Sequence, residues 1–75
     1  MPEQTLSVYA KADWGARLIG AVLARRDAAG TLFVDEVQIS DIDVNGHFSV
    51  LRGIDGRSHV VLTSFLRLVP TASQI

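Results

Sequence analysis

The stretch that most constrains this chain runs from Gly15 to Val37, where two apolar runs meet across a polar corner that ends in Gly30. The first run, Ala16 to Arg26, is apolar on every side: Leu18, Ile19, Ala21, Val22 and Leu23 leave no polar stripe. A helix is one solution, with Asp13 as N-cap, Arg25 and Arg26 in the last turn and Gly30 after the end. Gly15 and Gly20 oppose it, because each glycine costs about 1 kcal/mol in a helix interior. A strand buried on both faces fits the pattern better, with Gly20 marking a bend or a close backbone approach.

The flanking residues read as strands too. From Thr5 to Ala12, Leu6, Val8, Ala10 and Ala12 alternate with Ser7, Tyr9 and Lys11, the period-two pattern of a half-buried strand. Asp13-Trp14-Gly15 is a turn. Thr31 to Ile39 is rich in β formers, but its apolar parity changes between Val34 and Val37, which predicts a bulge or bend at Asp35-Glu36. A second slip falls at Ser40-Asp41. Asn45-Gly46, between Ile-Asp-Val and His-Phe-Ser-Val, predicts a two-residue hairpin turn. Gly53 to Gly56 is a further turn, Ser58 to Ser64 a strand, and Phe65 to Val69 an apolar segment closed by Pro70. Residues 1–4 are expected to be loose, 5–70 to form one small β domain, and 71–75 to be a tail.

Five or six short strands with tight turns cover their edges most economically as a strongly bent, all-β barrel. The alternative is an α+β fold with one helix over 16–29 on an antiparallel sheet.

Read as strands, this stretch resembles the small barrels of the Sm-like (Sm and Hfq) family. Gly15 and Gly20 have that family's five-residue spacing, Val22-Leu23 follow, Asp27 leads the corner, and Leu32-Phe33-Val34-Asp35-Glu36-Val37 is similar to its third strand. Val50-Leu51-Arg52-Gly53 and Val60-Val61-Leu62 are similar to its second segment. There is one extra residue between Gly20 and Asp27. Thr31 stands where the family carries a uridine-contacting Asn, and the second strand has fewer basic residues. The resemblance implies a ring-forming, non-catalytic barrel that binds single-stranded RNA. The chain also resembles a generic SH3-like barrel, with Thr63-Ser64-Phe65-Leu66 as a helical turn before a last strand at Arg67 to Val69. That likeness implies protein–protein contact or assembly without nucleic acid.

Candidate chemistry is sparse. Arg52 and Gly53 at a strand end could clamp a phosphate or stack on a base. Arg25 and Arg26 at the corner could touch a nucleic-acid backbone. Against these stand an ordinary turn and a solvated corner. Tyr9 and Trp14 could form an aromatic platform or simply fill the barrel mouth. His47 and His59 lie on different strands, with no third ligand at suitable spacing. Asp35, Glu36, Asp41, Asp43 and Asp55 make an acidic middle whose plainest use is edge protection. No nucleophile elbow, P-loop or dinucleotide fingerprint occurs, so a binding module without cofactor or metal is expected, not an enzyme.

Composition adds two bounds. Of the 75 residues, 48% are hydrophobic and none is cysteine. A small core without disulfides needs tidy packing or a partner, so a homo-oligomer is expected. Phe65 and Val69 are its candidate interface, with Leu66 and Leu68 facing inward. The net charge of −1 supplies no basic field for nucleic acid. No apolar run approaches the length of about 18 residues that a membrane span requires. Met-Pro-Glu-Gln-Thr lacks the basic and apolar regions of a signal peptide, so a cytoplasmic location is the default expectation.

Overall fold

The structure is a computed structural model that describes residues 3–12 and 15–70. It is mostly β. In chain order the strands are β1 (Gln4–Ala12), β2 (Gly15–Arg26), β3 (Leu32–Val34), β4 (Val37–Asn45), β5 (Phe48–Gly53) and β6 (Ser58–Leu62), followed by one helical turn, α1 (Thr63–Leu66). Each strand pairs antiparallel with the next, in the sheet order β1-β2-β3-β4-β5-β6. The sheet curls until β1 lies against β6, which makes a nearly closed barrel.

Residues 16–26 are therefore strand, as the glycines and the two-sided apolar pattern require. Their burial differs from the expectation. Residues 15–21 are exposed on both faces, and full burial begins only at Ala24. The cause is length. Among the described residues β3 pairs with β2 only at Ala24, Arg25 and Arg26, so the rest of β2 outruns the barrel with β1 as its only partner strand. The molecule measures 46 × 23 × 20 Å. Tyr9 and Lys11 of β1 anchor this ribbon to Phe48 of β5, Tyr9 by an edge-to-face contact of 5.6 Å between ring centroids. Gly20 adjoins a bulge: Val8 pairs with Gly20 and Tyr9 with Leu18, leaving Ile19 without a partner. It is no site of close approach, since a Cβ there would meet no described atom within 4 Å.

The predicted bulge at Asp35-Glu36 is a complete turn. Val34 pairs with Val37, and the two residues between them sit at φ 49° and 66°. Two consecutive positive φ values are what a tight hairpin of right-twisted strands demands, and this turn meets the demand without glycine. Asp35 holds the turn to β2. Its N–H donates to the Leu23 carbonyl at 2.8 Å, and its Oδ1 accepts from the Leu23 N–H at 3.0 Å. The slip at Ser40 is a true register shift. Ile39 pairs with Gly53 and Asp41 with Arg52, and the Ser40 hydroxyl donates to the Arg52 carbonyl at 3.2 Å. The next hairpin lies one residue later than expected. Asn45 pairs with Phe48, so Gly46, at φ 64°, and His47 are its central residues.

Every strand feeds the core, which contains Leu6, Ala24, Leu32, Val34, Ile39, Leu51 and Val61, with Leu66 and Val69 closing one end. One polar contact lies inside it, between the hydroxyls of Ser49 and Thr63 at 2.7 Å. The helical turn expected at Thr63–Leu66 is present, but Arg67 to Val69 do not form a strand. Arg67 N–H donates to the Thr63 carbonyl, Leu68 N–H to Phe65 and Val69 N–H to Leu66. Helical spacing then replaces alternation, so Leu66 and Val69, three apart, share the inner face. Phe65 and Leu68 point outward, 43% and 61% exposed. This corrects the proposed interface: Val69 belongs to the chain's own core, and Leu68 takes its place beside Phe65 on the surface.

Candidate functional site

The basic corner comes from the end of β2. Arg25 and Arg26 are neighbours on a strand, so their side chains leave opposite faces. Arg25 lies opposite Phe33 on β3, with its guanidinium 4.2 Å from the ring centroid. It also donates to Glu36, Nη2 to Oε2 at 2.8 Å and Nε to Oε1 at 3.1 Å. These hydrogen bonds hold the Glu36 carboxyl below, and the Arg25 guanidinium above, its ordinary pKa. Arg26 turns to the barrel end, where Nε donates to the Val69 carbonyl at 3.2 Å and Nη2 to the Leu66 carbonyl at 3.4 Å. It ties the turn at Leu66 to Val69 to β2. The loop between Arg26 and Leu32 is organised by Asp27, whose Oδ1 accepts from Ala29 and Thr31 N–H.

Arg52 and Gly53 are equally committed. Arg52 faces Asp41 across the strand pair and donates to its Oδ2 at 2.7 Å, with Asp43 at 3.9 Å. Gly53 is buried, and a Cβ there would stand 2.8 Å from Asp55 Oδ1 and 3.1 Å from Val37 Cγ1. Its residue type therefore follows from turn packing. Two strands, β3 and β4, separate the Arg25–Arg26 corner from Arg52, so the four candidate nucleic-acid residues are not brought together.

The acidic middle is used in the same way. Asp35 accepts from backbone, Glu36 from Arg25, Asp41 and Asp43 face Arg52, and Asp55 accepts from Arg57 N–H. His47 sits in the β4–β5 turn, while His59 lies opposite Leu51, four residues further along β5. Among the described residues, no three His, Cys, Asp or Glu side chains are placed to share a metal ion. Trp14, half of the proposed aromatic platform, lies outside the described residues. Tyr9 instead meets Phe48, with the Lys11 ammonium 5.6 Å from the Phe48 ring.

Sequence reasoning missed two features. The first is an open groove of about 570 Å³ between the 27–31 loop and the edge of β4, bounded by Arg26, Thr31, Gln38 and Ile42. The second is exposed apolar surface on strands. Leu18, Ile19 and Leu23 of β2 are 59%, 58% and 50% exposed, and Ile42 and Val44 of β4 are 38% and 56%. Only knowledge that β3 is three residues long would have revealed either one.

No family model, curated protein or solved structure matches the chain. The geometry alone therefore carries the functional argument. That geometry offers a barrel whose corner arginines are spent on its own acceptors and whose strands expose Leu18, Ile19, Leu23, Ile42 and Val44. Among the described residues no helix is long and apolar enough to cross a membrane.

Proposed function

We propose that this chain is a non-catalytic β-barrel assembly module acting through protein–protein contact in the cytoplasm, the role an SH3-like barrel would have. One observation supports this reading above the others. Arg25, Arg26 and Arg52, the candidate phosphate contacts, each donate to acceptors within the chain, whereas Leu18, Ile19, Leu23 and Val44 expose apolar side chains on strands. Phosphate binding needs cations free to displace counterions; protein contact needs apolar surface that water does not favour.

The Sm-like alternative, binding of single-stranded RNA, draws support from the Tyr9–Phe48–Lys11 cluster, where aromatic faces and an ammonium lie together as in base-stacking platforms. Retention on immobilised oligo(U) across a salt series separates the two. An assembly module shows weak retention with a flat salt response. A steep loss of binding as salt rises, abolished by Phe48→Ala with Lys11→Ala, would establish RNA binding and overturn the preferred reading.

A further inference from the structure

A strand edge left without a partner strand is a template for association, and proteins blunt such edges with charges, bulges or covering segments. Besides the outer edges of β1 and β6, which lie against each other without a ladder, two edges of this barrel lack a partner strand among the described residues, because β3 is so short. One is β4 beyond Gln38, on the side away from β5. The other is β2 from Gly15 to Val22, on the side away from β1. They are treated oppositely. The β4 edge carries the carboxylates of Asp41 and Asp43. The β2 edge, Gly-Ala-Arg-Leu-Ile-Gly-Ala-Val, has one charge in eight residues and no proline. Each strand has one bulge in the ladder with its existing partner, Ile19 against β1 and Ser40 against β5, so charge alone distinguishes the two edges.

We propose that residues 15–22 of β2 are the pairing edge of a homodimer, in which two copies join antiparallel about a two-fold axis near Ile19 and Gly20. The inference rests on the assembly reading above and names its partner as a second copy of this chain. An antiparallel edge is self-complementary under a two-fold axis: each N–H that one copy offers meets a carbonyl of the other. Charge agrees. With the axis at Ile19, Arg17 faces the partner's Ala21; with the axis at Gly20, it falls beside the partner's Leu23, whose backbone is already bound to Asp35, and so lies beyond the paired edge. Neither register sets like charges opposite each other. The segment has no acidic or basic cluster that would select an oppositely charged protein. Pairing β2 with the partner's β4 would bring the acidic edge into the seam, and such head-to-tail contacts build rings or filaments, not closed dimers.

Area sets the strength. An eight-residue edge is about 27 Å long and a sheet about 10 Å deep, so edge contact alone covers roughly 270 Å² per partner, against about 800 Å² for a standard stable complex. The exposed side chains of Leu18, Ile19 and Leu23 flank the seam and extend it. The dimer is therefore one that forms and dissociates with concentration.

Sedimentation velocity of the full chain, from about 5 to about 500 μM to bracket weak association, should show a mass rising from 8.1 kDa toward twice that value and no further. Leu18→Lys with Ile19→Lys, on an exposed ribbon, should keep the β-type circular dichroism and hold the chain monomeric throughout. Phe65→Lys should leave the dimer intact. The chain has no cysteine, so Ile19→Cys and Ile54→Cys report directly: under mild oxidation the first should cross-link at least tenfold faster than the second. A monomer at every concentration, a trimer or ring, equal cross-linking at both cysteines, or loss of the dimer in Phe65→Lys would overturn the inference. The oligo(U) series tests the underlying assembly reading on its own, since its outcome does not depend on β2 pairing.

Discussion

The buried hydroxyl pair gives the sharpest test of how this small core is held. Ser49 on β5 is fully buried and Thr63, the first residue of α1, is 6% exposed. Their oxygens are 2.7 Å apart, and the Thr63 N–H is separately bound to the His47 carbonyl at 2.8 Å. Ser49→Ala removes one hydroxyl and strands the other in an apolar interior, which costs about 1–3 kcal/mol. For a domain of this size, each kcal/mol lowers Tm by about 4–8 °C. Thr63→Val should cost a similar amount, because the backbone bond to His47 survives while Ser49 loses its partner. The double variant replaces both hydroxyls with apolar groups of similar shape, so it should lie within about 1 kcal/mol of the parent, less than the sum of the single losses. Urea denaturation with unchanged m-values measures all four corners of the cycle. Additive single losses, or a Ser49→Ala chain as stable as the parent, would show that α1 is not fixed to the barrel through this contact.

Gly53→Ala tests the steric account of the Arg52-Gly53 pair: its Cβ would press on Asp55 Oδ1 and Val37 Cγ1, so a loss of about 1–3 kcal/mol is expected by overpacking, read as a lower urea midpoint and partly restored by adding Asp55→Ala. The Arg25–Glu36 pair predicts a pH dependence. Glu36 titrates below its ordinary value of 4.5 in the folded chain, so its stabilising contribution is complete above that value and is lost as pH falls through the folded pKa. Glu36→Gln should therefore lower Tm at neutral pH and converge with the parent in acid; parallel Tm curves from neutral to acid pH would refute the link.

Local signals in the residues were enough for the strands and not for their reach. Glycines and two-sided apolarity marked 16–26 as strand, and that holds. The same pattern suggested burial on both faces, and that fails, because burial depends on neighbours that a strand's own residues do not specify. The C-terminal error is of another kind. Phe65 to Val69 fit alternation and helical spacing equally well over five residues; the Leu66–Val69 interval was a usable sign of a turn, and alternation overrode it. For the arginines no local sign exists. Arg25 lies on Phe33 and Arg26 reaches Leu66 and Val69 only because of registers set elsewhere in the sheet.

One misreading accounts for most of what was hidden. A hairpin with two positive-φ residues normally announces itself with Asn-Gly or Asp-Gly. Here Asp35-Glu36 does the work, held by backbone bonds to Leu23 and by the Arg25–Glu36 pair. Without the glycine, 31–39 resembles one long strand with a kink, and a long strand would have covered both β2 and β4. With the turn in place, β3 shrinks to three residues, and β2 and β4 run past it in opposite directions, each with one side unpaired among the described residues. The short β3 thus adds two edges to manage. The chain places Asp41 and Asp43 on one, and on the other leaves Leu18, Ile19 and Val22 with only Arg17 for charge. A barrel built only to stay apart from its own copies would have protected both.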